Sequence, residues 1–254
     1  MCKTFTRISI ALVAFSLLTS ASNIHAQRKG ISMQMKQEFL TAVKESDETK
    51  VRELLKTNSG IGNVTDANGV SAVLLAVYHG RNNIAQLLIA SGLTLNIFEA
   101  SATGSTPRVR ELLNSDPSSV NAFSPDGFTP LGYASFFGHL ETVRVLLDKG
   151  AQINVPSNNF LKAVPLRSAS VAGHLEIAKL LIDRGADVNA VGDGGMTPLH
   201  EVAGVGRVEF AKLLLDHGAN INARGNDGKT PLTIALEHNK TEMAEFLRSK
   251  GGVQ

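Results

Sequence analysis

The amino-acid sequence predicts an all-α repeat solenoid of stacked helix–turn–helix units, and two periodic features support this fold class. Four prolines (Pro130, Pro165, Pro198 and Pro231) follow one another at intervals of 35, 33 and 33 residues, and each precedes an apolar helical pattern. A pair of leucines follows each of the first three prolines by 15 or 16 residues. Self-similarity at this period is typical of a solenoid, in which each unit buries its apolar face against its neighbours.

The clearest unit lies between residues 195 and 222. Thr197 is a favourable N-cap residue, because its hydroxyl can accept a hydrogen bond from a free amide of the first helical turn. Pro198 follows at the first helical position, where a missing N–H group is tolerated. Gly206 is predicted to end this short helix, and Gly218 is predicted to end the next helix in a left-handed conformation.

Three motifs characterise this unit and its neighbours: Thr197-Pro198-Leu199-His200 with Ala203 one turn later, Gly173-His174-Leu175-Glu176, and Gly185-Ala186-Asp187-Val188-Asn189. Together these motifs resemble the ankyrin repeat. The resemblance covers roughly residues 33 to 254. It implies seven ankyrin-like repeats with β-hairpin fingers, and a non-catalytic role in binding other proteins.

The first 26 residues are predicted to be a secretory signal peptide. Lys3 and Arg7 precede an apolar run of 11 residues, and Ala26 offers a small residue for cleavage. A membrane anchor is disfavoured, because a helix needs about 20 residues to cross the hydrocarbon core. A lipoprotein is also disfavoured, since the single cysteine, Cys2, lies before the apolar run. We therefore expect an exported protein of bacterial periplasmic type, either periplasmic or secreted.

The chain after the leader is predicted to form a short linker at 27–32 and one repeat domain at 33–254. The expected repeats are approximately 33–64, 65–96, 97–125, 126–156, 157–191, 192–224 and 225–254. Polar residues on the outer positions of the first and last repeats are typical of the end caps of a solenoid.

The third repeat departs from the pattern. The helical pattern from Ile97 to Ala100 follows Asn96 directly, which leaves no room for a finger. The stretch Val109–Leu113 is identical to Val51–Leu55, so repeats three and four echo repeats one and two as a pair. We expect the stack to be least cooperative, and bent, between repeats two and three.

Composition narrows the choice of partner. Removal of the leader takes away Lys3 and Arg7 and leaves 23 basic and 23 acidic residues. A chain without net charge gives no support to binding of nucleic acid or of an anionic membrane. It also has no cysteine, which excludes disulfides and a thiol nucleophile. We expect a monomer that binds another protein and that does not insert into the membrane after leader cleavage.

No motif indicates an enzyme, a cofactor or a metal site. The segment Gly228-Lys229-Thr230 lacks the earlier glycine of a phosphate-binding loop, so turn and N-cap roles explain it. His139 and His174 occupy equivalent positions in successive repeats, where the imidazole is expected to bond to neighbouring backbone. No pair of histidines has the i, i+4 spacing of a helical metal site.

Nine residues form the predicted partner-binding site. The resemblance implies that finger tips and the exposed edge of each first helix line a concave binding face. The candidates on these positions are Tyr78, His79, Phe123, Phe128, Phe136, Phe137, Asn158, Asn159 and Phe160. Five of the 11 phenylalanines of the chain are among them, and aromatic anchors carry a large share of interface energy. For Phe136 and Phe137, packing between fingers and helices is the alternative to binding.

These observations predict a protein–protein interaction module of the cell envelope. The alternative is a protein that binds a small ligand or an envelope glycan in the same groove. A ligand site needs a deep pocket with convergent polar groups. A closed pocket beneath Phe160 favours the ligand hypothesis, whereas an open apolar face favours the protein hypothesis.

Overall fold

The computed structural model describes residues 30–254, so the predicted signal peptide lies outside the described residues. Within this range, 14 α-helices follow one another as seven pairs, in which a first and a second helix pack together. The first helices are α1 (Met33–Glu45), α3 (Ala72–Tyr78), α5 (Ile97–Ala102), α7 (Pro130–Phe137), α9 (Pro165–Ala172), α11 (Pro198–Val205) and α13 (Pro231–Glu237). The second helices are α2 (Glu48–Thr57), α4 (Asn82–Ala90), α6 (Thr106–Ser115), α8 (Leu140–Asp148), α10 (Leu175–Asp183), α12 (Val208–Asp216) and α14 (Thr241–Ser249).

Short 3-10 helices occupy Ser59–Asn63, Pro117–Asn121 and Asp193–Gly195. None of the helices within residues 30–254 is long and apolar enough to cross a membrane.

The helix boundaries follow the local signals in the sequence. The four periodic prolines are the first residues of α7, α9, α11 and α13, as predicted. The Thr129 hydroxyl accepts a hydrogen bond from the amide of Gly132 at 3.1 Å, which is the role expected of a threonine before proline. At Thr197, for which the sequence predicts this role, the hydroxyl lies 2.8 Å from Nδ1 of His200 instead. Gly206 and Gly218 are left-handed, with φ of 78° and 85°, and the prediction for both glycines is confirmed.

The third pair begins without a finger, as predicted. The Asn96 side chain caps α5 by accepting hydrogen bonds from the amides of Phe98 and Glu99, and the Asn96 amide in turn donates to the Glu99 carboxylate at 2.9 Å. This reciprocal arrangement satisfies the first amides of the helix locally, so the chain enters α5 directly after Asn96.

One continuous apolar core joins the helix pairs. Leu131, Leu166, Leu199 and Leu232 each follow a helix-opening proline, and all four are buried. The predicted leucine pairs on the second helices also contribute to the core. Leu146 and Leu180 have at most 8% of their surface exposed, whereas in the third pair Leu213 is partly buried and Leu214 is fully buried. Complete burial of a leucine side chain stabilises the fold by about 1.5–3 kcal/mol.

The expected β-hairpin fingers are not confirmed. Within residues 30–254 no β-strand is present, and a single antiparallel bridge joins Thr65 to Ser71. The loops are tight turns instead, as where the Ser124 amide donates to the carbonyl of Phe128 at 3.0 Å. Phe128 is followed directly by the N-cap Thr129, so no residues remain to extend a ladder on that side.

The loops before successive first helices contact one another in a row. The amide of Asn158 donates to the carbonyl of Gly127 at 2.7 Å, and the amide of Asn226 donates to the carbonyl of Gly194 at 2.8 Å. Because α5 has no finger, the loop before α3 lies directly against the loop before α7. A Cβ atom added to Gly69 would be 3.0 Å from Cβ of Pro125.

Candidate functional site

An apolar cavity of about 390 Å³ lies between α3, α7 and the loops at 122–129 and 157–163. We name it the aromatic pocket. Its lining consists of Tyr78, Asp126, Phe128, Gly132, Tyr133, Phe136, Phe137, Asn159, Phe160 and Leu161. The volume falls within the range of about 300–1,000 Å³ that is usual for ligand pockets in proteins.

Six of the nine predicted site residues line this pocket, and three do not. The six are Tyr78, Phe128, Phe136, Phe137, Asn159 and Phe160. Phe160 is 77% exposed and Phe136 is 40% exposed, so both rings present apolar surface to solvent. His79, Phe123 and Asn158 are exposed outside the lining.

Tyr133 occupies the centre of the aromatic side chains. Its ring centroid lies 5.6 Å from that of Phe128 and 6.4 Å from that of Phe137, whose plane is nearly parallel at 8°. The Phe136 ring meets Phe137 edge-on at 5.1 Å. Pairs of this geometry contribute about 0.5–1.5 kcal/mol beyond burial, so the rings support one another as a preformed wall. Phe137 therefore both packs against its neighbours and lines the pocket.

Asp126 is the one charged residue in the lining, and three hydroxyl groups donate to its carboxylate. The Tyr133 hydroxyl and the Ser124 hydroxyl each lie 2.5 Å from Oδ1, and the Tyr78 hydroxyl donates to Oδ2. Burial, reinforced by the neighbouring ring and carboxylate, raises the pKa of Tyr78 above its ordinary value. Burial and the bond to Asp126 raise the pKa of Tyr133 in the same way. Both phenols therefore remain protonated donors.

The missing finger of the third pair explains why Tyr78 reaches this site. Tyr78 ends α3 in the second pair, yet it contacts Asp126 and Phe137 of the fourth pair. Its ring centroid lies 5.7 Å from that of Phe137. A finger before α5 would lie between the loops before α3 and α7, which are in direct contact here.

The loop at 157–163 is tied to its neighbours on both sides. The Asn159 side-chain amide donates to the carbonyl of Asp126 at 2.8 Å. On the other side, Nη1 of Arg167 donates to the carbonyl of Leu161 at 2.5 Å. The guanidinium also pairs with the Glu201 carboxylate through Nε at 2.8 Å and Nη2 at 2.5 Å. These contacts hold Phe160 and Leu161 over the pocket.

The apolar surface continues beyond the aromatic pocket. A smaller cavity of about 180 Å³ adjoins it, and both cavities are lined by Phe128, Phe136 and Leu161. Val171 at the end of α9 lines the smaller cavity and is exposed. The exposed apolar face thus extends from the fourth to the fifth helix pair.

Four lining residues are absent from the nine predicted ones: Asp126, Gly132, Tyr133 and Leu161. Tyr133 is 2% exposed, and helical periodicity alone assigns it to the core. The chain has two tyrosines, and the tertiary structure brings both of them to this pocket.

The histidines of the repeated slot have structural roles. His139 Nε2 lies 2.9 Å from the carbonyl of Ala102, and His174 Nε2 lies 3.0 Å from the carbonyl of Phe136. Each ring thus bonds to the C-terminal end of the first helix in the previous helix pair. The expectation that these imidazoles bond to neighbouring backbone is confirmed. Among residues 30–254, no group of three or more His, Cys, Asp or Glu side chains is arranged to hold a metal ion.

Comparison with known proteins identifies the family. A family profile described as "Ankyrin repeats (3 copies)" matches residues 93–157 and 166–254. The chain belongs to the ankyrin repeat family. Ankyrin repeats generally mediate protein–protein interactions, and members of the family are typically non-catalytic.

Three curated proteins are similar to parts of this ankyrin repeat chain. The DNA-binding protein RFXANK of Homo sapiens is 39% identical over 75 residues, which are 30% of this chain and 29% of that protein. Alpha-latrocrustotoxin-Lt1a of Latrodectus tredecimguttatus is 28% identical over 122 residues, 45% of this chain and 9% of the toxin. Ankyrin repeat and SAM domain-containing protein 6 of Mus musculus is 39% identical over 59 residues, 23% of this chain and 7% of that protein. The match spans less than a third of each relative.

Proposed function

We propose that this ankyrin repeat protein is a non-catalytic binding module for another protein, and that the partner docks over the aromatic pocket. The observation that carries the proposal is the exposed apolar wall formed by Phe136 and Phe160 at the mouth of a preformed cavity. A rigid surface loses little conformational entropy on binding, so its apolar contacts contribute more fully to affinity.

We further propose that binding takes place in the periplasm or outside the cell. The support is the arrangement of basic residues, apolar run and small residues in residues 1–26. The partner is then an exported or envelope protein. Mass spectrometry of the protein recovered from the exported fraction tests this, and an N-terminus at Gln27 is the expected result. A full-length chain in the cytoplasmic fraction contradicts it.

The test of the docking site is retention of a partner from the envelope fraction by immobilised protein. Phe136→Ala and Phe160→Ala are expected to weaken retention by about tenfold or more each, because aromatic anchors often contribute 2 kcal/mol or more. Phe123→Ala is the matched control, because Phe123 is 43% exposed but lies outside the pocket.

The thermal midpoints of Phe160→Ala and Phe123→Ala should match that of the parent, whereas Phe136→Ala should melt about 2–4 °C lower because it loses the edge-on contact with Phe137. Equal retention by the parent and by the two pocket variants contradicts the proposed docking site, whatever the partner is. Loss of retention by Phe123→Ala alone moves the site to the tip of the loop at 122–129.

A small apolar ligand is the second candidate, and the cavity beneath Phe160 favours it. The scarcity of polar groups in the lining, confined to the tyrosine hydroxyls, Asp126 and Asn159, disfavours a glycan. Native mass spectrometry of the protein purified from its own host distinguishes this candidate. A bound small molecule that is lost in Phe160→Ala supports the ligand function over the protein partner.

A further inference from the structure

The aromatic pocket has the chemistry of a cation site. Its walls are the rings of Tyr78, Phe128, Tyr133, Phe136, Phe137 and Phe160, and its one charged residue is Asp126. Aromatic faces carry negative electrostatic potential and attract cations within about 6 Å of the ring centroid. No lysine, arginine or histidine is among the lining residues.

Asp126 has no cationic partner among the residues that the structure describes. The ion pairs of residues 30–254 leave it out, whereas the nearby Glu201 is paired with Arg167. Its charge is balanced only by hydroxyl dipoles. A carboxylate offers about four acceptor positions, so three hydroxyl donors leave one position for a further donor.

The hydroxyl donors also prevent the carboxylate from turning away. Tyr133 is buried and Ser124 is 5% exposed, and their hydroxyls lie 3.2 Å apart while both donate to Oδ1. Tyr78 reaches Oδ2 from α3. The carboxylate is thereby held against the aromatic wall in a fixed orientation, a preorganised arrangement for an entering positive charge.

We infer that the aromatic pocket binds a basic side chain, lysine or arginine, presented by the partner protein. This inference rests on the proposed function, because it names the chemical group of the partner that enters the docking site. The apolar stem of such a side chain packs between Phe136 and Phe160. The charged head lies over the rings and donates to Asp126.

The chain provides its own reporter for a binding test. It has no tryptophan and two tyrosines, Tyr78 and Tyr133, so its tyrosine fluorescence arises entirely from this pocket. The probes are N-acetyl-arginine methylamide and the citrulline compound of the same shape without charge. Both are titrated into the folded protein at low ionic strength, with tyrosine emission as the readout.

The arginine probe is expected to bind about tenfold or more tightly than the citrulline probe, since both the rings and the carboxylate favour the charge. Asp126→Asn should remove most of this preference, whereas Asp183→Asn, an equal charge change on an exposed residue of α10, should keep it. Phe136→Leu retains apolar volume without a ring, and it should weaken binding of the arginine probe more than binding of the citrulline probe.

Equal binding of the two probes, or binding of neither, overturns the inference even if Asp126→Asn fails to fold, because this comparison needs only the parent protein. Unchanged preference in both Asp126→Asn and Phe136→Leu overturns it as well. Failure of the proposed function gives a different result, in which Phe136→Ala and Phe160→Ala retain the partner as well as the parent does. If these variants lose the partner but the parent binds both probes equally, the proposed docking site is supported, and only the inference that a basic side chain enters it is rejected.

Discussion

Four asparagines join successive helix pairs by the same two hydrogen bonds. In each case the side-chain amide donates to a glycine carbonyl in the next pair, and the side-chain oxygen accepts the amide that lies two residues after that glycine. For Asn154 these bonds reach Gly185 at 3.1 Å and Asp187 at 2.9 Å. The equivalent residues are Asn121, Asn154, Asn189 and Asn222. The series fixes the register between pairs.

Asn154→Ala is expected to lower the free energy of unfolding by about 1 kcal/mol, because two exposed backbone groups exchange a protein partner for water. Urea denaturation at equilibrium measures it. Gln152→Ala is the control, since the side chain of Gln152 is exposed and makes no hydrogen bond within the described residues. An Asn154 variant as stable as the Gln152 variant contradicts a role of the asparagine series in stability.

His200 couples stability to pH. Its ring is buried, Nδ1 accepts the Thr197 amide at 3.1 Å, and Nε2 donates to the carbonyl of Lys229 at 3.1 Å. Protonation would place a hydrogen on Nδ1 and break the first bond. Burial is the main cause that lowers the pKa of His200 below its ordinary value of 6.5, and it lowers the pKa of His139 in the same direction.

The unfolded chain therefore binds protons more readily than the native protein just below pH 6.5. The native protein is therefore most stable above pH 6.5, where both states hold neutral imidazoles, and its free energy of unfolding decreases as the pH falls. The total decrease is about 1.4 kcal/mol for each unit by which the native pKa is lowered. His200→Gln should flatten the decline of the unfolding free energy between pH 7.5 and 5.5, because it removes one of the two imidazoles whose pKa is lowered in the native protein. A His200→Gln variant whose unfolding free energy declines as steeply as that of the parent contradicts the prediction.

At the scale of elements, the loop at 157–163 depends on a side chain of the following helix. Arg167 on α9 joins Leu161 to Glu201 on α11, and its side chain is only 12% exposed. Gly127 allows the loop to approach from the other side, because a Cβ atom there would lie 2.6 Å from the carbonyl oxygen of Asn158. The position of Phe160 is thus set by contacts with three helix pairs.

Arg167→Met is expected to lower the free energy of unfolding by about 2 kcal/mol, because a largely buried carboxylate loses its charged donors. It should also weaken partner binding, since the loop that carries Phe160 loses a tie. Arg184→Met is the matched control: the Arg184–Asp148 pair has the arginine 43% exposed, and exposed pairs contribute about 0–1 kcal/mol. Urea denaturation of both variants provides the comparison, and equal losses would argue against a special role of Arg167.

At the scale of the whole molecule, neighbouring first helices pack least closely between the second and third helix pairs. α3 and α5 share the smallest contact between neighbouring first helices. A cavity of about 650 Å³ lies between α4 and the start of α6, and its lining includes Val77 and His139. The asparagine series starts only at Asn121, because Asn96 caps α5 instead of joining two pairs.

Since a solenoid is stabilised by contacts between neighbouring units, α1 to α4 are expected to open in a separate step below global unfolding. Native-state hydrogen exchange in increasing denaturant is the measurement. Amides of α3 and α4 should exchange through an opening of lower free energy than the opening that exposes amides of α9 to α12. Exchange of both groups through one common opening would contradict this, and it would leave the bend expected between repeats two and three without energetic support.

Much of the helical framework could be predicted because its signals are local. A proline after threonine starts a helix, and a left-handed glycine ends one, through contacts within a single turn. The absence of a finger before α5 is equally local, since Asn96 and Glu99 cap the helix among themselves. The expected hairpin strands were not confirmed, because the helix caps follow the turns too closely for strand pairing.

The candidate site was predictable only in part. Exposed aromatic residues on loops, such as Phe160, are recognisable from the repeat register. The buried side of the site is not, because Tyr78 lies 48 residues from Asp126 and 55 residues from Tyr133 along the chain. Helix period, start and end depend on neighbouring residues, which the sequence displays directly. The contact between Tyr78, Asp126 and Tyr133 depends on how closely α3 approaches the fourth pair, which is possible because α5 has no finger. Only the tertiary structure decides how far apart these side chains lie.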